Sequence, residues 1–177
     1  VHRGLSAEQE NLKKTRRKEF LAMRRIPQQI AIERNTWFHL GANCNQQYIY
    51  CLKRMLEPVK EHVDNNFNPL PRVYRDEFAP MHSKISELMT STAHMLSTLE
   101  FHSYRETLAE ADRCKDELSA LRLRLIDRMH SSTDNTHYKI SLVYLNILQE
   151  SQELLSIMRH QLRAGWKLLE ETEEMEA

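Results

Sequence analysis

The sequence predicts an all-α fold, an elongated up-down-up-down four-helix bundle with an extra basic helix at its N-terminus. The 177-residue chain contains only 3 Gly and 5 Pro, which favours long helices with short connections and argues against a sandwich or a barrel. Apolar residues also recur every three or four positions along four long segments, as they do on one face of a helix. The length is that of one domain with a sizeable core.

The N-terminal segment, residues 1–26, predicts a basic helix that Ser6 caps and Pro27 interrupts. Its apolar residues are too sparse to bury much surface alone. A short basic helix is often simply solvated, but Lys and Arg also gather in cytoplasmic segments next to a membrane span, where anionic lipid attracts them. The candidate membrane-surface residues are Lys13, Lys14, Arg16, Arg17, Lys18, Arg24 and Arg25.

Four amphipathic segments follow and form the predicted bundle. Pro58 should kink the first of these four helices or split off its last turns, while Pro80 either begins or bends the second. Antiparallel order would bring the basic N-terminal helix close to the acidic tail, residues 173–177. The predicted helices run from about Gln28 to Asp64, Val73 to Leu99, Ser103 to His130 and His137 to Glu171.

The last predicted helix is apolar over an unusually wide arc. One stripe contains Ile140, Tyr144 and Met158, and a second contains Leu142 and Leu155. A helix of this kind contacts several neighbours or a partner protein. A free-standing adaptor that binds a partner helix is therefore one functional interpretation.

The three cysteines, Cys44, Cys51 and Cys114, include no CxxC pair. Cys44 and Cys51 lie seven residues apart, which places them on one face of a helix. They are typical of reduced core cysteines in a cytoplasmic protein, and a redox or metal role is the alternative.

Three carboxylates are candidates for a metal or metal–phosphate site. Asp112 and Asp116 share one helical face, and Glu150 occupies a position where the stripe calls for an apolar residue. Charged side chains are seldom buried unpaired, so Glu150 should pair with a cation or metal or reach solvent. The alternative is a solvated acidic face plus a paired Glu150. A divalent metal is thus a candidate cofactor.

Several functional classes are not favoured. No Glu is followed by His three residues later, as ferritin-like di-metal sites require. His39 lacks the basic neighbour expected of a phosphotransfer histidine. The scarcity of Gly leaves no nucleophile elbow or phosphate-binding loop, so we expect no enzyme. A formal net charge of zero predicts no nucleic-acid partner.

Long segments of the chain resemble a known family. The strongest are RNTWFHLGAN (34–43), YCLKRMLEPVKEHVDNNFNPLP (50–71) and LVYLNILQESQELLSIMRHQLRA (142–164). From about Arg24 to Ala164 the sequence is similar to the cytoplasmic C-terminal PhoU-like domain of PiT-type bacterial inorganic phosphate transporters. The sequence contains neither a signal peptide nor an apolar run of the roughly 18–20 residues that a membrane span needs. Because the chain starts with Val instead of Met, one interpretation is that it is a piece of a longer membrane protein.

The resemblance implies a PhoU-like bundle over residues 27–172 that regulates phosphate uptake at the cytoplasmic face of the inner membrane. Its partners would be the membrane part of the same transporter or the anionic membrane surface, and inorganic phosphate would be transported by the intact protein. Homo-oligomerisation stays open. PhoU-type proteins carry a Glu/Asp-x-x-x-Asp metal motif, which Asp112 and Asp116 fit. Glu150 departs from it, because its nearest acid, Glu153, is three residues away.

Overall fold

In the computed structural model of the chain, five helices and no strand are present among the described residues, which confirms the all-α class. The structure describes the backbone at residues 2–23, 28–65, 68–131 and 135–176, and the side chains at 4–15, 36–65, 68–131 and 138–170. The helices are α1 (His2–Met23), α2 (Gln28–Asp64), α3 (Arg72–Thr98), α4 (Tyr104–Ser131) and α5 (Asn135–Glu176).

The bounds of α2 agree with the predicted segment to the residue, but α1 begins at His2, so Ser6 lies inside the helix and does not cap it. Pro80 lies well inside α3, so the helix does not begin there. Instead α3 starts after Pro71, whose carbonyl accepts bonds from the amides of Tyr74 and Arg75. Its last residue is Thr98, and Leu99, which follows, adopts a left-handed conformation (φ 60°). The C-terminal helix α5 continues to Glu176, so most of the predicted tail is helical.

The long helix α5 is the common partner of α2, α3 and α4, while α3 packs on α4 and α1 packs on α2. Its 42 residues span about 60 Å. Within the described residues, the backbone of α2 approaches α1 and α5 and does not approach α3. Helix α2 is therefore linked to α3 through α5.

Contacts between side chains give the direction of each helix pair. Asn45 bonds Gln161 and Cys51 contacts Glu150, so α2 and α5 run antiparallel. In the same way, α4 is antiparallel to α5 through Asp112–Arg159 and Arg122–Gln152. The α3–α4 pair is antiparallel through Glu77–Arg128 and Lys84–Glu117.

The main core lies between α3, α4 and α5, and α2 adds a smaller cluster against α5. Tyr74 and Tyr144 stack in the main core with ring centroids 4.7 Å apart. The smaller cluster contains Cys44, Cys51 and Leu154. A third cluster, around Phe101 and Trp166, lies where the connection between α3 and α4 packs on the C-terminal half of α5.

The predicted apolar stripes are mostly buried, with informative exceptions. On α3, Met81, Ile85 and Leu88 are buried at the three- and four-residue spacing of one helical face. On α2, Ile49 is buried beside the groove between α2 and α1. By contrast Leu142, on a predicted stripe of α5, is 42% exposed.

No α-helix in the described part of the chain combines the length and the apolar character that a bilayer span needs.

Replacing Gly165 with Ala should lower the free energy of unfolding by about 1 kcal/mol, because the cost of crowding a packed interface exceeds the gain in helix propensity. An added Cβ would lie 2.5 Å from Leu96 Cδ2 and 3.2 Å from Phe101 Cζ. Gly41 is the control, because nothing lies within 4 Å of its added Cβ. Gly41→Ala should raise stability by about 0.5–1 kcal/mol through helix propensity. Urea unfolding of both variants distinguishes these signs, and an equal effect would contradict the packing at Gly165.

Candidate functional site

The three candidate metal ligands do not come together in the structure. Glu150 is buried on the side of α5 that faces α2, Asp112 pairs with Arg159 at 2.9 Å, and Asp116 is exposed. No group of three or more His, Cys, Asp or Glu side chains in the described part of the chain is placed to hold a metal ion. Metal binding at these carboxylates stays a prediction.

Glu150 pairs with a cation, as the sequence predicted. Arg54 on α2 donates from Nε to both carboxylate oxygens at 3.0 Å, and its Nη2 lies 2.8 Å from Oε2. The side chain of Glu150 is 7% exposed and that of Arg54 is 52% exposed. The hydrogen bond to Glu150 raises the pKa of the Arg54 guanidinium further. The buried acid therefore depends on a cation that reaches it from solvent.

Cys51 completes this contact between α2 and α5. Its thiol lies 3.1 Å from the backbone oxygen of Glu150, toward which it can donate, and 3.3 Å from Oε2. Burial, followed by the bond to Glu150, raises the pKa of the Cys51 thiol to about 12. Burial also raises the pKa of Cys44 and of Cys114. All three cysteines are buried and free, as predicted.

The folded protein should react slowly with iodoacetamide at pH 8, because the thiolate is the reactive form and all three thiols are buried and protonated. The same protein in urea should react at all three cysteines at ordinary thiol rates. Mass spectrometry of timed samples measures both rates. Rapid labelling of Cys51 in the folded state would contradict its contact with Glu150.

A polar groove runs across α5 between α2 and α4, next to Glu150. Its walls are long side chains that reach over α5 from both sides. The lining residues are Arg54, Lys115, Arg122, Gln149, Glu150, Gln152, Glu153 and Ser156. Of these, sequence reasoning singled out Glu150 and, as its neighbouring acid, Glu153.

On the α4 side of this groove, polar side chains form a connected network, here called the α4–α5 network (Lys115, Ser119, Arg122, Gln152 and Ser156). Lys115 Nζ donates to Ser156 Oγ at 2.9 Å, and Arg122 Nη1 donates to Gln152 Oε1 at 2.8 Å. The amide of Gln152 donates to the backbone oxygen of Lys115 at 3.1 Å and to Ser119 Oγ at 2.6 Å. These bonds hold both cations over α5. Lys115 and Arg122 were hard to identify from the sequence, because their positions have the pattern of a solvated helix face.

Only two of the candidate membrane-surface residues fall among the described side chains. Lys13 and Lys14 are exposed on α1, and Lys13 lies 3.7 Å from Glu10. Within the acidic C-terminus, Glu170 accepts a bond from Lys167. The other residues of these two charged segments lie outside the described side chains, including Arg16, Arg17, Lys18, Arg24 and Arg25.

Comparison with known proteins does not identify a relative. No protein-family model, no curated protein and no solved structure matches this chain. A functional interpretation therefore depends on the quoted segments and on the contacts that their residues make.

Proposed function

We propose that this chain is a non-catalytic cytoplasmic regulatory domain of an inorganic phosphate transporter and that it modulates phosphate uptake. In this proposal α2 to α5 form the PhoU-like up-down-up-down four-helix bundle, and α1 is the additional basic helix. The supporting observation is that the family-like segments lie mainly on α2 and α5. These two helices pack against each other along much of their length and share the buried Arg54–Glu150 pair.

The contact between α2 and α5 is the one to which our proposal assigns regulation. It is the most extensive backbone contact between any two helices in the described residues, yet its apolar cluster is smaller than the main cluster and it contains the Arg54–Glu150 ion pair. Such a pair adds little net stability compared with apolar packing. In our proposal a change at this pair alters the contact, and α2 is the element that responds.

The alternative, a free-standing adaptor, needs the wide apolar arc of α5 to be open to a partner helix. Over Ile140 to Leu162 much of that arc is covered by the chain's own helices. Leu148, Leu155 and Met158 are all fully buried. The adaptor interpretation thus loses most of the surface that motivated it.

Phosphate uptake by bacterial cells tests the proposal. Cells that produce the complete gene product should take up phosphate, and the rate should depend on prior phosphate supply. Deletion of residues 28–172 should leave uptake in place and remove that dependence, because the bundle is not the pore. A complete coding sequence without membrane spans, or uptake whose regulation survives the deletion, would contradict the proposal.

The basic segment gives a second expectation for a membrane-proximal domain. We expect the isolated chain to bind anionic vesicles weakly at low salt, with about 1 kcal/mol per basic residue near the surface. Deleting the tail from Glu170 should strengthen binding, because the acidic residues compete for the same cations. The membrane contact would be contradicted if vesicle binding were unchanged by this deletion, or by replacement of the five basic residues of segment 13–18 with Gln. Those residues are Lys13, Lys14, Arg16, Arg17 and Lys18.

A further inference from the structure

Among the described residues, the two cations of the α4–α5 network have no carboxylate partner, a property shared with Lys53, which donates to Gln9 between α2 and α1. In the described residues, the interhelical cations Arg54, Lys84, Arg128 and Arg159 each contact an acid of another helix. Lys115 and Arg122 instead donate to the neutral oxygens of Ser156 and Gln152. Both are only partly exposed. Their positive charge is therefore partly desolvated without a countercharge, which an anion would offset.

The geometry brings these two charges close together. Lys115 and Arg122 are two helical turns apart on α4, about 10 Å along the axis. Their bonds reach Ser156 and Gln152, which lie one turn apart on α5 and have Cβ atoms about 5–6 Å apart. Charge-assisted N–H···O bonds are about 2.8 Å long. Both cations therefore reach neighbouring positions on α5.

The acids near the groove do not occupy this position. Glu150 is neutralised by Arg54 on the opposite side of α5. Glu153 is exposed, and its charge acts on Cys51 and Arg54, both of which belong to α2. Among the residues that line the groove, α4 contributes Lys115 and Arg122 and no acid. In addition, Arg122 Nε is buried and has no hydrogen-bond partner among the described residues.

We propose that the α4–α5 network is a binding site for a small tetrahedral oxyanion of the phosphate class, held by Lys115 and Arg122 and oriented by Gln152 and Ser156. Two positive charges favour a dianion over chloride. The inference does not depend on the proposed function, because binding is measured on the purified chain itself. A phosphate group could come from free inorganic phosphate or from a lipid headgroup, and the experiment separates these sources.

The test is titration of the purified chain with inorganic phosphate, followed by NMR of the Arg122 Nε–H and Gln152 amide signals, with potassium chloride at equal ionic strength as the reference. We expect saturable shifts with phosphate and none with chloride. Lys115→Gln and Arg122→Gln should each weaken binding by about tenfold, the loss of one charge-assisted bond. Arg113→Gln is the matched control, because Arg113 lies on the same helix and pairs with Glu110 instead. It should leave the affinity unchanged.

Vesicles complete the test. If vesicles of phosphatidic acid shift or broaden the Arg122 and Gln152 signals of the wild type, while free phosphate leaves them unchanged, the site takes a lipid headgroup. If free phosphate shifts these signals and the vesicles do not, the site takes the free anion. Either result supports the oxyanion site. Helicity and melting temperature show whether the variants fold. If a variant does not fold, the NMR shifts of the wild type alone test the site. The site is overturned if neither source shifts the wild-type signals, or if Arg113→Gln weakens binding as much as Arg122→Gln.

Discussion

Replacing Arg54 with Leu should lower the free energy of unfolding by about 1–3 kcal/mol, the usual cost of leaving a buried polar group without its hydrogen-bond partner. The carboxylate of Glu150 is 7% exposed between α2 and α5, and Arg54 is the cation that contacts it. The bond from the Cys51 thiol cannot replace a full positive charge. Urea unfolding followed by circular dichroism at pH 7 measures the change.

The reverse substitution should behave differently. In Glu150→Leu the buried charge is gone, and Arg54, whose side chain is 52% exposed, remains solvated. We expect this variant to be as stable as the parent or more stable. The double variant Arg54→Leu/Glu150→Leu should recover most of the loss. If Arg54→Leu costs no more than Glu150→Leu, the pair is not a buried link between the helices.

Truncating Leu155 to Ala should cost about 2.5–5 kcal/mol, because it opens a cavity in the main core. Leu155 is fully buried on α5 within the cluster formed by α3, α4 and α5. Leu142 on the same helix is 42% exposed and serves as the control. Leu142→Ala should cost about 1 kcal/mol or less. Equal losses in urea unfolding would show that the main core does not lie on the Leu155 side of α5.

The contrast between these two leucines shows what helical periodicity in the sequence can predict and what it cannot. Both belong to one predicted stripe, and helical periodicity correctly gave the helix and its apolar arc. Periodicity gives the face of a helix, but it does not show how far a neighbouring helix covers that face. Val63 on α2 is 65% exposed for the same reason, since it lies near the end of its helix.

The candidate site was predictable in one respect. Glu150 stood out because an acid interrupts an apolar stripe, and its need for a partner followed from the cost of burying charge. That Arg54 would be the partner depends on the register between α2 and α5, which is a long-range property. Lys115 and Arg122 gave no signal, because a cation bonded to Ser or Gln on another helix has the sequence pattern of a solvated one.

The antiparallel pairing of α2 with α5 underlies the Arg54–Glu150 link and the proposed function, and cross-linking tests it most directly. Asn45 and Gln161 are hydrogen-bonded at 2.8 Å, so Asn45→Cys/Gln161→Cys should be joined within one chain by a short bismaleimide. The native cysteines are buried and should not compete. Asn45→Cys/Leu142→Cys is the comparison, because those positions are about 28 Å further apart along α5. We expect a linked α2–α5 peptide from the first pair and none from the second. Linkage of the second pair alone would contradict the structure.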